Sequence, residues 1–401
     1  MELMPGYKHS EVGVIPDDWE ARKLSEHFKI YAGGDVPKHS LSSVRTESHP
    51  YPIFANALQE KGLYGFTSER RAKKDSLTIT GRGYLGHAEY RDEEFFPIVR
   101  LLVLEPVGDL DAKFTTYAVN DRVKFAFEST GVPQLTAPQV GQYLVAAPSI
   151  PEQRAIAQAL SDVDALLATL DQMIAKKRDL RQAAMQQLLT GKTRLPGFFG
   201  EWQKKTLGEL GATYGGLTGK TKSDFGVGTA KYITFMNVMT NTVIDCAACE
   251  QVNVSASETQ NRVLRGDLLF NGSSETPEEV AFCSLMAEEV PNLYLNSFCF
   301  GFRLFDDQQV DGLFLTYYIR ANPGREMMKS LAQGSTRYNL SKTALCEASV
   351  LLPLKNEQAA IAEVLSGMDA ELIALEARRD KTRDIKQAMM QELLTGKTRL
   401  V

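Results

Sequence analysis

The chain contains a long internal repeat, and this feature restricts its fold more than any other. The octapeptide LLTGKTRL occurs at Leu188–Leu195 and again at Leu393–Leu400. Upstream of the two copies, matching residues such as Glu152 and Glu357 stay at a constant separation of 205 positions. An ungapped match over about fifty residues indicates a duplicated structural element.

The fronts of the two halves also match, at a different separation. The two tryptophans of the chain, Trp19 and Trp202, align at a separation of 183 positions. The middles, roughly 40–128 and 222–333, have no alignment that we can defend. Each half is therefore a matched frame around an unmatched insert.

The repeated tail predicts a long amphipathic helix. Pro151 suits the first helical turn, and Glu152 lies where the positive end of the helix dipole favours an acid. Apolar residues then recur at alternating spacings of four and three, the pattern of a coiled-coil seam. These residues are Ile156, Leu160, Val163, Leu167, Leu170 and Ile174, and in the second copy Ile361, Leu365, Met368, Leu372 and Leu375. Gly191 and Gly396 are natural stops for the two helices.

About forty residues at 1.5 Å each make a rod on the order of 60 Å long. We expect the two rods to pair with each other, because the seam is longer than one small domain usually covers; in the alternative, each helix packs only on its own domain. The predicted fold class is α/β, with two mixed α/β domains separated by two long antiparallel coiled-coil helices and related as a pseudo-two-fold internal repeat. In chain order, the predicted domains and helices are 1–148, 149–195, 196–352 and 353–401.

Below the seam the helix becomes smaller and more polar, and its sequence is nearly the same in both copies. The apolar positions left on one stripe are Leu180, Ala184 and Leu188, and in the second copy Ile385, Met389 and Leu393. Coiled-coil pairing alone does not require such close identity. A recent duplication and two equivalent docking surfaces for one partner explain it equally well from the residues alone.

Both inserts have the pattern of mixed α/β structure. Strand-like runs punctuated by turn residues occur at Ser76–Thr80, Phe96–Glu105, Lys231–Val238, Gly266–Phe270 and Cys299–Phe305. Each insert ends in a short helical stretch.

Two neighbouring segments of the first insert contain candidate DNA-binding residues. The run ERRAKK and the segment TGRGYLGH supply Arg70, Arg71, Lys73, Lys74, Arg82 and Tyr84. Arginine can clamp guanine edges, and glycines allow backbone N–H groups to approach phosphates. A solvated charge run beside a tight hairpin is the alternative interpretation.

The second insert has candidate DNA-binding residues in three loops: Lys220, Lys222, Asn271, Ser273, Arg337, Tyr338 and Asn339. At a separation of 205 positions, the last of these loops aligns with 131–134, and Leu340 aligns with Leu135. Two domains that recognise different base sequences would need equivalent loops with different polar side chains. Drifting surface loops would have the same appearance.

Motifs for catalysis or metal binding are not recognisable. GGLTGKT lacks the glycine of a phosphate-binding loop five residues before Gly219, where Tyr214 stands. Cys246 and Cys249 form a C-x-x-C pair, but zinc needs two further ligands and no histidine lies beyond His87, so packed free thiols are the simpler interpretation. We expect no catalysis, metal or cofactor on this chain.

The formal net charge is -5, whereas a nucleic-acid-binding domain usually has a basic excess. Local patches decide binding, however, so DNA contact is not excluded. No apolar run approaches the ~20 residues that span a bilayer, the N-terminus lacks a signal-peptide pattern, and the odd number of cysteines does not suggest a disulfide framework. We expect a cytoplasmic protein without membrane contact.

Two variable inserts, each followed by a matching helix, resemble the specificity (S) subunit of type I restriction–modification enzymes over nearly the whole chain. The resemblance is carried by the helix starts SIPEQRAIA and PLKNEQAAIA, by the common tail that ends in LLTGKTRL, and by entry segments with a tryptophan followed by a leucine. Insert fragments such as YPIFANALQEKG, ITGRGYLGH and RGDLLFNGSS are also similar to that family.

The resemblance implies that each insert is a target-recognition domain for one half of a split, asymmetric DNA site, and that the paired helices fix the spacer. The implied partners are double-stranded DNA, two modification (methyltransferase) subunits with S-adenosylmethionine, and two restriction subunits with ATP and Mg²⁺. Two identical methyltransferases need two equivalent docking surfaces, which favours docking as the reason for the repeated tail. A coiled-coil adaptor whose inserts bind proteins is the alternative.

Overall fold

The repeated tails form two helices of equal length in the computed structural model, which describes residues 5–126, 133–306 and 309–400. The helices span Ile150–Leu188 and Lys355–Leu393, each 39 residues long. Their ends keep the separation of 205 positions, so the predicted helical tails are confirmed.

Packing divides the chain within the long helices rather than at their ends. The first unit takes in the chain up to Asp171 together with the stretch from Ala377 onward, and the second takes in Gln172–Glu376. Each unit therefore contains one insert and parts of both long helices. The units cut across the predicted segments 1–148, 149–195, 196–352 and 353–401.

The strands of the first unit are β1 (Tyr7–Ser10), β2 (Gly13–Pro16), β3 (Glu20–Lys23), β4 (Phe28–Ala32), β5 (Tyr51–Phe54), β6 (Leu63–Thr67), β7 (Ser76–Thr80), β8 (Ala88–Arg91), β9 (Phe96–Pro97), β10 (Leu101–Pro106) and β11 (Leu144–Ala147). Its short helices are α1 (Leu24–His27), α2 (Ala112–Arg122) and α3 (Ala137–Gly141), and the first long helix is α4 (Ile150–Leu188).

The strands of the second unit are β12 (Gln203–Thr206), β13 (Gly211–Gly215), β14 (Phe225–Ile233), β15 (Glu250–Val252), β16 (Leu268–Asn271), β17 (Ser273–Ser274), β18 (Cys283–Leu285), β19 (Leu293–Leu295), β20 (Cys299–Leu304), β21 (Ala332–Gln333), β22 (Tyr338–Leu340) and β23 (Ser349–Leu352). Its helices are α5 (Leu207–Leu210), α6 (Phe235–Thr240), α7 (Gly312–Arg320), α8 (Asn322–Leu331) and α9 (Lys342–Glu347), and the last long helix is α10 (Lys355–Leu393).

A four-stranded sheet with the same topology lies in each unit. Its order is β4-β10-β7-β8 in the first unit and β13-β20-β16-β18 in the second. β4 and β7 are both antiparallel to β10, so their C-terminal ends lie at one edge of the sheet, and β13 and β16 have the same relation to β20. We call this edge the loop edge. Its connecting segments are 33–36, 81–87 and 98–100 in the first unit, and 216–221, 272–282 and 296–298 in the second; the segment 272–282 includes β17.

The mixed α/β character of both inserts is confirmed, but two predicted strands are wrong in extent. The run Phe96–Glu105 is broken into β9 and β10 by a turn in which Arg100 has a φ of +75°. The run Lys231–Val238 ends as a strand at Ile233, because Thr234 caps the following helix α6 through its side chain. An apolar run cannot reveal either break, since periodicity alone does not locate turns inside it.

The long helices are antiparallel within each unit. Oppositely charged pairs join them: Lys386–Asp164 and Arg379–Asp171 in the first unit, and Arg181–Asp369 and Lys177–Glu371 in the second. Within a unit, the residue number on one helix falls as the number on the other rises. The antiparallel pairing is therefore present in each unit, whereas coiled-coil supercoiling stays a prediction.

Both long helices also contribute to the core of each unit, so pairing and packing on the domains occur together. The buried helix residues include Ile156, Leu160 and Leu393 in the first unit, and Leu188, Ile361 and Leu365 in the second. The Tyr117 hydroxyl donates to Asp164 at 2.7 Å, and the Tyr317 hydroxyl donates to Asp369 at 2.8 Å. These two matched bonds tie each insert to the helix pair.

In the first unit, the second LLTGKTRL copy folds back onto the start of α4. Arg399 donates to both carboxylate oxygens of Glu152, each at 2.7 Å, and to both oxygens of Asp18, at 2.8 and 2.6 Å. Its guanidinium also lies 5.9 Å from the centre of the fully buried Trp19 ring. Gly396, with a φ of +68°, provides the left-handed turn that sends the tail back.

The first LLTGKTRL copy makes equivalent contacts with a glutamate and a tryptophan in the second unit, but main-chain oxygens of Phe199 and Gly200 replace Asp18. Arg194 pairs with Glu357 at the start of α10 and lies 5.9 Å from the centre of the Trp202 ring. Gly191 has the same φ of +68° as its counterpart. The identity of the arginine and the glycine in the two tails is thus accounted for inside the chain, because each tail must turn back and place a cation on a buried glutamate beside a tryptophan.

Loss of the Arg399 guanidinium should destabilise the first unit. The Arg399→Ala variant leaves the Glu152 carboxylate, of which 1% is exposed, buried without its cation. We expect the free energy of unfolding to fall by on the order of 3 kcal/mol, measured by denaturant unfolding. Lys397→Ala, an exposed cation of the same tail, should change it by less than about 0.5 kcal/mol. Equal effects of the two variants would contradict the assigned role of Arg399.

Candidate nucleic-acid interface

The predicted basic run of the first insert lies beside β4, the edge strand of the sheet. The Tyr31 hydroxyl of β4 donates to the main-chain oxygen of Arg71 at 3.3 Å. Arg70 is paired with Glu94, so part of its charge is already offset. Three cations of the run are exposed and have no carboxylate within ion-pair distance in the described part of the chain: Arg71, Lys73 and Lys74.

The hairpin 81–87 presents Arg82 and Tyr84 at the loop edge. The Asn56 side chain holds this hairpin: its Oδ1 accepts from the N–H groups of Gly81 (2.6 Å) and Arg82 (3.2 Å), and its Nδ2 donates to the main-chain oxygen of Arg82 at 2.5 Å. Tyr84 is 66% exposed, next to Gly83 with a φ of +75°. The structure thus fixes the backbone of the hairpin and leaves its side chains accessible.

A second arginine lies at the same edge and was not among the predicted residues. Arg100 occupies the turn between β9 and β10, and its main-chain oxygen accepts from the N–H of Gly81 at 3.2 Å. Its Nη1 donates to Oε1 of Gln134 at 2.8 Å. Leu135 N–H in turn donates to the oxygen of Gly81 at 2.8 Å, so three loops meet here. The sequence hides Arg100 within an apolar run.

In the second unit, the prediction that Asn271 contacts DNA is wrong. Asn271 is fully buried at the end of β16, and its Nδ2 donates to the main-chain oxygens of Ser273 (3.3 Å) and Glu279 (2.9 Å). It therefore shapes the loop from inside. Ser273 is 6% exposed, so it too lies below the surface.

Arg337 lies above Ser273 at the loop edge of the second unit. Its Nη2 and Nε donate to Oγ of Ser273 at 3.1 and 3.3 Å, and its guanidinium is 5.5 Å from the centre of the Phe298 ring. Phe298 is 57% exposed and, like Arg100, was not predicted. Of the other predicted residues in this loop, Asn339 is exposed and Tyr338 is half-buried.

The two predicted lysines of the first loop differ in accessibility. Lys220 pairs with Glu258 at 2.5 Å, and only 6% of its side chain is exposed. Hydrogen bonds from Lys220, from the N–H of Ser255 and from Gln260 lower the pKa of Glu258 to about 2. Lys220 is therefore not available as a phosphate contact, and its prediction is wrong, whereas Lys222 is exposed.

The loop edges of the two units share one backbone frame. Leu135 N–H donates to the oxygen of Gly81 at 2.8 Å, and Leu340 N–H donates to the oxygen of Gly272 at 3.0 Å. Leu135 and Leu340 are 205 positions apart, like the other matched residues of the repeat. Gly81 follows β7, and Gly272 follows the equivalent strand β16. The frame is thus repeated although the inserts have no recognisable sequence alignment.

Comparison with known proteins identifies the family of the chain. The model of the type I restriction modification DNA specificity domain matches twice, over residues 16–176 and 200–383. The chain belongs to this specificity family. The family assignment confirms the resemblance of the sequence to type I specificity subunits, and with it the expectation of a non-catalytic specificity component.

Curated relatives agree with this assignment. A putative type I specificity subunit from Mycoplasma pneumoniae is 30% identical over 180 residues, which cover 45% of this chain and 48% of that protein. The chain spans about half the length of this relative. The specificity subunit of the type I restriction enzyme MjaVIII from Methanocaldococcus jannaschii is 21% identical over 411 residues, covering 96% of this chain and 94% of that one.

Solved structures share the fold over nearly the whole chain. The type I restriction–modification S subunit from M. genitalium has a TM-score of 0.64 at 16% identity, covering 98% of both chains. A chain from a structure described as the basis of complex assembly and conformational transition of the type I restriction–modification system has a TM-score of 0.51 at 15% identity, covering 96% of this chain and 99% of that one. At these identities the likeness carries the fold alone.

The helix stripe predicted for subunit docking is only partly accessible in this member of the specificity family. Leu188 and Leu393 are 7% and 4% exposed and pack in the cores of their own units, so their prediction as a docking surface is wrong. Leu180 and Ile385, which match at 205 positions, are 45% and 47% exposed. The matched Ala184 and Met389 are half-buried against the two cores.

The cysteines and the long helices offer no second kind of site among the described residues. Cys246 and Cys249 are free and half-buried, and burial raises the pKa of Cys249 to about 11. Within 5–126, 133–306 and 309–400, no group of three or more His, Cys, Asp or Glu side chains could hold a metal ion. In the same ranges, no helix combines the length and hydropathy that a bilayer crossing requires.

Removal of the Asn56 amide should loosen the hairpin 81–87 without unfolding the sheet. Asn56→Ala deletes three hydrogen bonds to main-chain groups, a loss of about 1–3 kcal/mol. We expect faster amide hydrogen exchange at Gly81 and Arg82, and unchanged protection in β10. Gln59→Ala, an exposed neighbour, should leave the hairpin unchanged. Unaltered exchange in Asn56→Ala would show that other contacts hold the hairpin.

Proposed function

We propose that the chain is the DNA-recognition subunit of a type I restriction–modification complex and reads a bipartite, asymmetric site, one half with each unit. The observation that carries this proposal is the repeated loop edge: one backbone frame holds different exposed side chains in the two units. Two units with a common backbone frame and different exposed side chains suit a DNA site whose two halves differ in sequence. The long helices, which both units share, would fix the spacer between the halves.

The exposed cations are the proposed contacts to DNA. In the first unit, Arg71, Lys73, Lys74 and Arg82 are candidates for phosphate or base contact, with Tyr84 beside them and Arg70 partly occupied by Glu94. In the second unit, the candidates are Lys222, Arg337, Tyr338 and Asn339. Phosphate contacts fix register, whereas contacts to base edges specify sequence.

The negative net charge of the chain is compatible with this role if partner subunits also contact the DNA phosphates. The formal net charge is -5, so the chain alone is poorly suited to wrap a duplex. We propose that two methyltransferase subunits complete the DNA-binding surface and bring S-adenosylmethionine, and that two restriction subunits bring ATP and Mg²⁺. No cofactor is assigned to this chain, and the complex would act in the cytoplasm.

Salt-dependent binding tests the proposed function. The full chain, purified with its methyltransferase subunit, should bind duplex DNA with an affinity that falls steeply with salt, because each phosphate contact releases counterions. Sequencing of methylated adenines in a host that carries the complex should return two half-sites at a fixed separation. Methylation without a two-part site, or no binding of duplex DNA, would overturn the proposal; a protein-binding adaptor would give the latter result.

The matched exposed positions on the long helices test the docking part of the proposal. Leu180→Glu and Ile385→Glu should each remove one methyltransferase from the complex, and the double variant should remove both, because a buried charge opposes an apolar interface. Native mass spectrometry measures the stoichiometry. Val227→Glu, at an apolar residue that is 51% exposed on β14, should leave it unchanged. Two methyltransferases retained by the double variant would contradict docking through this stripe.

A further inference from the structure

Three positions of the loop edge are matched between the two units and carry different side chains. The matched pairs are Arg82 and Ser273, Arg100 and Phe298, and Gln134 and Asn339. Main-chain contacts define these matches. Gly81 N–H donates to the oxygen of Arg100, and Gly272 N–H donates to the oxygen of Phe298. Arg82 forms a β-bridge with Gln134, and Ser273 forms the equivalent pair with Asn339.

The first unit holds an arginine in an unusual backbone conformation at this edge. Arg100 is exposed and has a φ of +75°, in the left-handed region that favours glycine. Residues other than glycine in this region are uncommon and cluster at functional sites. The guanidinium donates to Oε1 of Gln134 at 2.8 Å, which orients both side chains. An arginine therefore stands where the backbone alone would prefer glycine.

The second unit holds an arginine at the same edge by other means. Arg337 is exposed and donates to Oγ of Ser273, and the Phe298 ring lies 5.5 Å from its guanidinium. Asn339 is exposed two residues further along the same loop. Each edge thus presents one oriented arginine together with one exposed amide side chain.

Arg100 and Arg337 differ from two other arginines of the inserts, Arg70 and Arg303, in the groups that orient them. Arg70 is paired with Glu94, and Arg303 with Asp267 at 2.6 Å, so their N–H groups face carboxylates. Arg100 and Arg337 are oriented by neutral side chains, and neither has a carboxylate within ion-pair distance in the ranges that the structure describes. A guanidinium oriented by neutral groups keeps N–H donors available for a ligand.

We propose that Arg100 with Gln134 reads bases of one half-site and that Arg337 with Asn339 reads bases of the other, while Ser273 and Phe298 position Arg337. The inference rests on the proposed function and names the side chains that perform it. The fork of an arginine fits O6 and N7 of guanine, and the amide of glutamine or asparagine fits N6 and N7 of adenine. The sequence alone does not point to Arg100, Gln134 or Phe298.

Selection from a random duplex pool tests the inference. The full chain with its methyltransferase subunit binds duplexes that carry a randomised segment, and the bound duplexes are sequenced. With Arg100→Gly, we expect the preference for one base at one or two adjacent positions of a single half-site to fall by about 5- to 150-fold, with the other half-site unchanged. Glycine is chosen because it suits the left-handed φ, so the variant should fold normally.

Arg337→Ala should relax the base preference in the other half-site only, and the half-site affected by Arg100→Gly should stay unchanged. The two variants are controls for each other, since each should preserve the half-site that the other relaxes. Arg265→Ala removes an exposed arginine that precedes β16, at the opposite edge of the same sheet, and should preserve both. Gln134→Ala and Asn339→Ala give a second pair of tests that leaves both arginines in place.

The outcomes separate this inference from the proposed function. If the unaltered complex selects two half-sites, but Arg100→Gly and Arg337→Ala leave both unchanged or weaken both equally, the assignment of these residues is wrong and the proposed function stands. If the unaltered complex selects no two-part sequence, the proposed function fails and the inference fails with it. Relaxation confined to one half-site in each variant supports the inference.

Discussion

A buried glutamate at the start of each long helix requires a cation, and the tail of the other long helix supplies it. Glu152 has 1% of its side chain exposed and is satisfied by Arg399, and Glu357 is satisfied in the same way by Arg194. An uncompensated buried carboxylate is strongly unfavourable, so each tail must end where the other helix begins. Neither unit can be completed by one repeat alone, which is why each contains parts of both helices.

The residue after each glutamate extends this constraint to the inserts. Oε1 of Gln153 accepts from the N–H of Asp111 at 2.8 Å, and Oε1 of Gln358 accepts from the N–H of Asp311 at 2.9 Å. Asp111 and Asp311 are the N-caps of α2 and α7, the helices that pack beside the four-stranded sheets. The Glu-Gln dipeptide therefore fixes the tail through its first residue and the insert through its second. These shared contacts account for the identity of the Glu-Gln dipeptides and of the tail arginines without reference to a partner.

The sequence predicted the frame well and the loop edge only in part, for a physical reason. The long helices follow from periodicity over many residues, and their bounds agree with the repeat. Burial at the loop edge depends instead on contacts distant in sequence. Asn271 lies in a segment with the composition of a surface loop, but its side chain is buried and donates to main-chain oxygens. Leu188 lies on an apolar stripe of its helix, but it packs in the core of the second unit. Arg100 lies within an apolar run; Pro97 argues against a continuous strand there, but no local residue shows that Arg100 becomes exposed in the turn.

The exposed side chains of the loop edge can vary because main-chain bonds hold it, together with the side chains of Asn56 in the first unit and Asn271 in the second. The bonds from Gly81 to Arg100 and from Leu135 to Gly81 use only N–H and C=O groups, so they do not depend on which side chains the loops carry. In the second unit, the same frame accepts Phe298 where the first has Arg100, and the guanidinium comes from a different loop. A change of base preference thus needs new side chains on an unchanged backbone, whereas a change in the Glu-Gln dipeptide or in the tail arginine would disturb the core of the unit. This separation of a fixed interior from a variable edge explains why the two halves of the chain match in their frames and differ in their inserts.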